Sequence, residues 1–396
     1  MIAAGAAALL VTVVAMPVVV SAMRRLAAID DVNERSSHRV PTPRGGGIAV
    51  ALGIFAGVVV LQVTSGHGDS PGLLPMIVGV TLFGLVGLAE DVGADAGGIS
   101  PLRRLALQLL AGLVVSAVLL TSVSLDAAPI PPVVAVSAAA LIGPLWITGF
   151  VNAFNFMDGV NGISSAQAAV AGGSLIVVGH LYEASALAAG GTVLVGSAIG
   201  FAPFNFPRAR IFLGDVGSYT LGTSLAVLAL QGILSGIPVE AVLAPLLLYL
   251  ADTGATLVRR VLRGERWYLP HRTHTYQRLT DVGWTHTRVT VTVASLVAAS
   301  SGLGLLAARG DPGIRVTADL ALLVLVVGYL NAPRLITLAH ARGCAERPAP
   351  ADPAHPGGGS RELVLPHQRQ GDSPQLTPDR AEPSRPARVP DPADTR

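Results

Sequence analysis

Eleven apolar segments, each 13 to 21 residues long, follow one another along most of this chain. A helix that crosses the hydrocarbon core of a bilayer needs about 20 apolar residues, and fewer suffice where the helix is broken inside a bundle. The segments therefore predict an all-α polytopic membrane helix bundle with about eleven transmembrane helices, or ten if the sixth, seventh or ninth segment does not cross. They cover residues 2–22, 47–64, 73–89, 105–120, 133–150, 166–181, 184–201, 219–234, 239–251, 289–307 and 320–332.

The scarcity of charge also indicates a membrane protein. Only 13% of the residues are charged and 51% are hydrophobic, whereas soluble domains carry about 25% charged residues. The formal net charge of +2 argues against a nucleic-acid-binding protein, which needs a continuous basic surface. The single cysteine, Cys344, excludes an internal disulfide and a cysteine-rich metal site.

The arginines predict the orientation of the bundle. All 27 basic residues are arginine, and 18 of them precede residue 334. When the loops are assigned alternately to the two sides, fifteen of these 18 fall on one side, whereas Arg309 and Arg315 fall on the other. Because cytoplasmic loops are enriched in basic residues, we expect an outside N-terminus and a cytoplasmic C-terminus. The first segment has no basic residue ahead of its apolar core, so we expect a retained anchor rather than a signal peptide.

The end of the chain differs in composition from the rest. Residues 345–396 contain 11 prolines and almost no large apolar side chains, so they cannot bury enough surface to offset the entropy of ordering the chain. We therefore predict an integral membrane domain over residues 1–344 and a Pro-rich, disordered cytoplasmic tail over residues 345–396.

Several carboxylates stand at the edges of apolar segments on the predicted cytoplasmic side. A carboxylate at a membrane edge costs free energy unless it is paired or binds a cation, so such residues are functional candidates. These residues are Glu90, Asp91, Asp158, Asp215 and Asp252. The alternative, hydrated loop charge, accounts better for a second group, Asp30, Glu34, Asp95, Glu265 and Asp281.

Two polar motifs have the chemistry of a phosphate and metal site. Asn152, Asn155, Asp158 and Asn161 recur every three residues, which places their oxygens on one side of a helix. Oxygen ligands suit Mg²⁺ or Mn²⁺ rather than zinc, although an Asn- and Gly-rich helix cap is the alternative. Asp215 stands between two glycines ahead of an apolar segment, where a helix N-terminus attracts phosphate; the alternative is an ordinary turn.

Two basic loops complete the pattern. His271, Arg272 and His274 form a cluster suited to a diphosphate, because Arg presents a planar fork and His can share a proton. The two histidines could instead bind a metal, which the neighbouring arginines disfavour by repulsion. The loop before the second segment carries His38 and Arg44 beside a glycine run; a basic topogenic loop would account for its arginines only.

In this order, the motifs resemble those of the polyprenyl-phosphate N-acetylhexosamine-1-phosphate transferases, glycosyltransferase family 4. This family includes the enzymes that initiate O-antigen, enterobacterial common antigen and teichoic acid synthesis, and the phospho-MurNAc-pentapeptide translocase. The resemblance covers residues 30–287. The matching elements are residues 31–47, Glu90-Asp91 with Arg104 and Gln108, residues 152–162, residues 212–218 and residues 271–277.

The resemblance implies transfer of a sugar 1-phosphate from a UDP-N-acetylhexosamine to polyprenyl phosphate, with release of UMP and a need for Mg²⁺. It implies a multi-pass protein of a bacterial plasma (inner) membrane whose active site faces the cytoplasm; a homodimer is a further prediction. The implied catalytic residues are Glu90, Asp91, Asp158, Asp215, His271 and His274. The implied substrate-binding residues are His38, Arg44, Arg104, Asn152, Asn161, Phe212 and Arg272.

Within these sets the resemblance implies particular contacts. Asn155 and Asp215 would bind the metal, while Asp158 and Asn161 would contact the uridine, with Phe212 near the uracil ring. Asp91 is the candidate base or positioning group for the attacking lipid phosphate, with Glu90 beside it. The phosphates and the sugar would be held by Arg104, Arg272, His271 and His274.

The chain departs from the family pattern at two positions. Glu90 replaces the first Asp of the usual Asp-Asp pair, and Asn161 replaces the usual second Asp of the Asn- and Asp-rich turn. The loop at residues 271–277 lacks the triple-histidine run of the peptidoglycan translocase, so we favour a simple UDP-HexNAc donor over UDP-MurNAc-pentapeptide.

Two other classes remain as alternatives. A polytopic transporter would need polar groups near the bilayer midplane, where this chain has almost no charge. A nonenzymatic scaffold is supported only by the Glu90 departure.

Overall fold

A computed structural model describes residues 1–30, 41–65, 72–93, 98–123, 131–266 and 271–345, with side chains up to residue 340. Within these ranges nearly all regular structure is helical, which confirms the predicted all-α class. Eleven helical segments of the described chain are long and apolar enough to cross a membrane. The helices are α1 Ile2–Arg25, α2 Gly47–Ser65, α3 Leu74–Gly93, α4 Pro101–Ser122, α5 Pro132–Met157, α6 Ile163–Leu181, α7 Ser185–Asn205, α8 Gly214–Leu234, α9 Val239–Leu243, α10 Leu247–Leu262, α11 Thr275–Asp281, α12 His286–Arg309 and α13 Pro312–Ala345.

α8 is the central helix of the bundle. It is almost wholly buried and packs against α2, α3 and α5. Small residues let α3 approach it at backbone distance, since a Cβ atom on Gly87 would lie 2.5 Å from the carbonyl carbon of Asp215. Close packing through glycine is a usual means of association for helices in lipid. The first turn of α8 is therefore held against the last turns of α3.

The segment that leads into α2 is docked onto the turn between α7 and α8. A two-residue strand, β2 (Thr42–Pro43), pairs with β1 (Ile29–Asp30) just before this segment. The backbone N–H of Gly46 then donates to the carbonyl oxygen of Phe212 at 2.9 Å, and that of Gly47 donates to Leu213 at 2.8 Å. Two loops that are distant in sequence thus form one backbone-bonded unit.

The ninth span is interrupted in the middle. Helix α9, a 3₁₀ turn at Ala244–Leu246 and α10 together make one crossing segment, Val239–Leu262. Pro245 has no N–H to continue the helix, and the carbonyl oxygens near the break are satisfied by other helices. Gln167 Nε2 donates to Pro245 at 2.8 Å, and Ser300 Oγ donates to Ala244 at 2.8 Å. Such partners allow irregular backbone inside a membrane bundle.

All the predicted segments are shorter than the observed spans, and two of them fall short by more than ten residues. The ninth, predicted over 239–251, extends to Leu262, and the eleventh, predicted over 320–332, belongs to the span Pro312–His340. The predicted tail, residues 345–396, and His38 lie outside the part of the chain whose side chains are described.

The end of the bundle at which α3 and α5 end and α2, α4 and α8 begin is called the site end below.

Candidate functional site

Asp91 caps the first turn of α8. Its Oδ1 accepts the backbone N–H of Asp215 at 3.0 Å, and its Oδ2 accepts that of Val216 at 3.0 Å. These are N–H groups that a helix leaves unbonded at its start, and an anion is favoured there by the helix dipole. Gly214, at φ +74°, leaves no room for a side chain beside the Asp91 carboxylate. The buried Asp91 is thus engaged through both carboxylate oxygens.

Asn155, on the last turn of α5, contacts Asp215 directly. Its Nδ2 donates to Asp215 Oδ1 at 2.8 Å and to Ser218 Oγ at 2.9 Å. The amide nitrogen thus has two acceptors on α8, and none of the hydrogen bonds among the described residues uses the amide oxygen of Asn155. The structure therefore brings together the two residues predicted to bind a metal.

Two arginines lie beside these carboxylates. Arg104, at the start of α4, is 3.8 Å from Glu90 across the α3–α4 connection. Arg44 interacts electrostatically with Glu90, Asp91 and Asp215, and its Nε is buried with no hydrogen-bond partner in the described residues. A buried guanidinium N–H without a partner is costly, so this position favours an anion that would accept it.

The turn after α5 carries Asp158. Its backbone N–H donates to the carbonyl oxygen of Asn155 at 3.1 Å, which ends the helix. Burial, with a smaller contribution from the charge of Asp215, raises the pKa of Asp158 to about 7. Near neutral pH this carboxyl is therefore able both to donate and to accept a hydrogen bond.

The rest of this turn, at Asn161 and Gly162, is hydrogen-bonded to neighbouring segments of the chain. Asn161 donates from Nδ2 to the carbonyl oxygen of Pro207 at 3.1 Å, and its own carbonyl accepts Thr290 Oγ1 at 2.8 Å. Asn205, which the sequence reading did not single out, accepts the N–H of Gly162 at 2.6 Å. The amide nitrogen of Asn161 is thus engaged, whereas its Oδ1 is not used in these contacts. Phe212, one of the predicted nucleoside contacts, lies half-buried just before α8, and its backbone is hydrogen-bonded to Pro43 and Gly46.

The histidine loop packs against the end of α5. Tyr276 donates from its hydroxyl to the carbonyl oxygen of Phe156 at 3.0 Å, and the Phe156 and His274 rings are 6.1 Å apart. The His271 and His274 rings are 4.9 Å apart. Burial lowers the pKa of His271 to about 4, with the neighbouring His274 and Arg260 adding to the shift. His271 is therefore a neutral imidazole near pH 7.

Two predicted substrate-binding residues make their observed contacts away from Glu90, Asp91 and Asp215. Arg272 binds Thr280 Oγ1 at 3.1 Å and the Asp281 carboxylate at 3.2 Å, both on α11. Asn152 donates to Gln108 Oε1 at 2.7 Å and so joins α5 to α4. The observed contacts of both side chains are structural; their roles toward a substrate stay predictions.

Sequence reasoning gave no role to Asp252, Tyr276 or Tyr329 beyond naming Asp252 as an edge carboxylate. In the structure all three are buried and mutually connected. A signal was present, since a tyrosine in an otherwise apolar span usually has a partner for its hydroxyl. The partner itself could not be read from the sequence.

The oxygen atoms of Asp215 and Asn155 suit a hard cation that takes its remaining ligands from water and from the phosphates of the substrate. Among the described residues there is no cluster of three His, Cys, Asp or Glu side chains placed to hold a metal, so a closed protein cage is absent there. Mg²⁺ typically keeps several waters and takes one or two carboxylates plus substrate phosphates. The Asp215 carboxylate and the unused amide oxygen of Asn155 match that requirement.

Comparison with known proteins adds a family match. The model of the glycosyl transferase family 4 matches residues 73–233. This region contains α3, α5 and most of α8, and therefore Glu90, Asp91, Asn155 and Asp215.

Three curated relatives are similar over larger parts of the chain. The decaprenyl-phosphate N-acetylglucosaminephosphotransferase of Mycobacterium leprae is 30% identical over 318 residues, covering 73% of this chain and 79% of the relative. The "Probable undecaprenyl-phosphate N-acetylglucosaminyl 1-phosphate transferase" of Bacillus subtilis is 28% identical, with the same two coverages. The phospho-N-acetylmuramoyl-pentapeptide-transferase of Streptococcus uberis is 27% identical over 209 residues, covering 51% of this chain and 62% of the relative.

Proposed function

The chain belongs to the glycosyl transferase family 4 and is a glycosyl-1-phosphate transferase, and on that premise we propose that it transfers HexNAc-1-phosphate from a UDP-N-acetylhexosamine to polyprenyl phosphate. The observation that carries the proposal is the contact between Asn155 and Asp215, held by Asp91 and flanked by Arg44 and Arg104. The acceptor class follows from the relatives, which are named for decaprenyl and undecaprenyl phosphate.

The reaction exchanges one phosphoanhydride for another. An oxygen of the polyprenyl phosphate attacks the β-phosphorus of the UDP-sugar, the bond from that phosphorus to the bridging oxygen breaks, and UMP leaves with the bridging oxygen. The product is the polyprenyl diphosphate-linked sugar. A phosphate monoester is largely ionised near neutral pH, so positioning contributes more than proton removal.

We assign different roles to the two neighbouring carboxylates. Asp91 was predicted to be either a base or a positioning group. Because it holds the start of α8 through both oxygens, we assign it the positioning role. Glu90 has an oxygen without a hydrogen bond in the described chain and lies near Arg104. We therefore assign Glu90 to holding the guanidinium of Arg104, and Arg104 to orienting the attacking phosphate.

Mg²⁺, with Mn²⁺ as a substitute, would be held by the Asp215 carboxylate and the Asn155 amide oxygen. When bound it neutralises the charge that develops on the diphosphate. Arg44 and Arg104 bind the phosphate oxygens that remain. The neutral His271 donates a hydrogen bond to the same anion without adding a charge that would repel the cation.

We place the site end on the cytoplasmic side of a bacterial-type plasma membrane. The supporting observation is the distribution of arginine: Arg24, Arg44 and Arg104 lie at the site end, whereas Arg309 and Arg315 lie at the opposite end. Basic residues concentrate on the cytoplasmic side of membrane proteins. A cytoplasmic site end also gives direct access to a soluble nucleotide donor, which cannot cross the bilayer.

The donor that we propose first is UDP-GlcNAc. The relatives with the larger coverage are named as N-acetylglucosamine phosphotransferases, whereas the pentapeptide transferases match about half of the chain. A phospho-MurNAc-pentapeptide transferase is therefore the second candidate.

The test is transfer of labelled sugar phosphate by the purified protein. Protein in detergent is mixed with UDP-GlcNAc labelled in the sugar, decaprenyl or undecaprenyl phosphate and Mg²⁺; we expect label in the lipid extract and an equal amount of UMP. UDP-MurNAc-pentapeptide is assayed in parallel. Absence of transfer with every UDP-HexNAc, under conditions in which a family relative is active, would overturn the proposal. Substrate flux into proteoliposomes without chemical conversion would instead favour a transporter.

A further inference from the structure

Asp252 is a fully buried carboxylate at the centre of a hydrogen-bond network. It lies on α10 with 0% of its surface exposed. Oδ1 accepts the backbone N–H of Thr275 at 2.8 Å, while Oδ2 accepts that of Tyr276 at 3.3 Å and the hydroxyl of Tyr329 at 2.7 Å. A buried carboxylate persists only when donors surround it, so this position is built to retain a charge.

The same carboxylate faces His274. Nδ1 of His274 lies 3.6 Å from Asp252 Oδ1, just beyond hydrogen-bond distance. The tautomer of an imidazole is set by the partner of one ring nitrogen. An adjacent carboxylate selects the proton on Nδ1, which leaves Nε2 as the nitrogen available for other contacts.

The loop fixed by Asp252 also supports the metal-binding turn. Tyr276, whose N–H Asp252 accepts, donates its hydroxyl to the carbonyl oxygen of Phe156. Phe156 follows Asn155 directly in sequence. A single buried carboxylate therefore connects the last membrane helix, through Tyr329, with the histidine loop and with the end of α5.

We propose that Asp252 is a positioning residue for the transfer reaction, fixing His274 as its Nδ1–H tautomer and holding residues 274–276 against the end of α5, with Tyr329 completing its hydrogen-bond shell. The inference rests on the proposed function, because His274 is one of the residues that the sequence resemblance assigns to the phosphates and the sugar of that reaction. Asp252 and Tyr329 touch no reacting atom in this arrangement; they act through His274 and Tyr276.

The first arm of the test is kinetic. Tyr329→Phe should lower kcat about tenfold and Asp252→Asn about a hundredfold, while KM for the UDP-sugar changes less than about threefold, because the orientation acts mainly on charge developing in the transition state. The double variant should be no slower than Asp252→Asn alone, since Tyr329 acts through that carboxylate. Asp252→Glu, which retains the charge, should recover part of the loss.

Tyr182→Phe, which removes a hydroxyl at the opposite end of the bundle, is the matched control and should leave kcat unchanged.

The second arm is spectroscopic and does not need catalysis. The protein is labelled with ¹⁵N-histidine, and the His274 signals are assigned by their loss in His274→Gln. These signals should show a protonated Nδ1 and an unprotonated Nε2, and Asp252→Asn should change that pattern.

If Tyr329→Phe and Asp252→Asn only lower the melting temperature and leave kcat per folded molecule intact, the proposal is overturned. An unchanged His274 tautomer in Asp252→Asn also overturns it. If the wild-type protein transfers no sugar at all, the proposed function fails, whereas the tautomer measurement still decides the role of Asp252.

Discussion

Asp91 lies in the last turn of α3 and Asp215 in the first turn of α8, and the carboxylate of Asp91 accepts the backbone N–H of Asp215 at 3.0 Å. Its other oxygen accepts the next N–H along α8 at the same distance. One helix thus supplies the N-terminal cap of another, and the cap sets the direction in which the Asp215 side chain leaves the backbone. Each oxygen uses one lone pair for an N–H of α8 and keeps a second, so a proton accepted by Asp91 would be held directly beside the start of that helix.

Asp91→Asn should therefore lower stability and activity together. The amide NH₂ would face a backbone N–H in place of an acceptor, which costs about 1–3 kcal/mol of unfolding free energy. The melting temperature in detergent and the transfer rate measure the two effects. Glu90→Gln is the neighbouring control and should lower the rate with little change in melting temperature, since the amide keeps an oxygen for the backbone hydrogen bond from Ile99 and loses only the charge that faces Arg104 at 3.8 Å. Full stability with lost activity in Asp91→Asn would instead indicate a direct chemical role.

Gly87→Ala should inactivate the protein through backbone displacement. The new methyl carbon would lie 2.5 Å from the carbonyl carbon of Asp215, a distance that forces α3 and the start of α8 apart. We expect a loss of transfer activity of at least about a hundredfold, because a shift of about 1 Å at a reacting group has that effect.

Gly93→Ala, at the end of the same helix, is the matched control for Gly87. Its Cβ meets no described atom within 4 Å, so activity and melting temperature should stay near the wild-type values. Equal activity of the two alanine variants would show that the α3–α8 spacing is not needed for transfer.

Asp215→Asn should abolish Mg²⁺-dependent transfer and leave the fold intact. The substituted amide retains an oxygen for Asn155 Nδ2, so the contact at 2.8 Å can persist, whereas the charge that would hold the cation is lost. We expect a rate loss of at least about a hundredfold. Asn155→Ala should raise the Mg²⁺ concentration for half-maximal rate by roughly tenfold or more. Asp311→Asn, at the α12–α13 turn of the opposite end, should change neither value; an active Asp215→Asn protein would remove Asp215 from the metal site.

Stability should fall in acid partly because of His271. Its pKa of about 4 in the folded protein is below the ordinary value of 6.5 because the ring is buried, with His274 and Arg260 nearby adding to the shift. A lowered histidine pKa gives a contribution that is fully present above pH 6.5 and is lost as the pH falls through about 4. The melting temperature of wild-type protein should therefore drop more steeply between pH 6.5 and 4 than that of His271→Gln. Parallel curves for the two proteins would contradict this assignment.

Much of the fold followed from the sequence, because apolar length and helix formation are local properties. Segment 73–89 predicted α3 directly, and the carboxylates that end it were identified as unusual for their place at a membrane edge. The cap between Asp91 and Asp215 could not be predicted, since it depends on how closely α3 and α8 approach. Likewise, Tyr329 gave no sign that its partner would be Asp252, 77 residues away. Long-range pairs of this kind are decided by packing rather than by the pattern around either residue.

The glycines at the site end have a consequence for how freely this sequence can vary. At Gly47 an added Cβ would overlap the backbone at Gly217, and no rotamer change can relieve an overlap with backbone. In a saturation library selected for transfer, position 47 should thus return glycine almost alone, although glycine supplies no chemical group. At such a position the residue is selected for its small volume. The functional property is the distance between the backbones of α2 and α8.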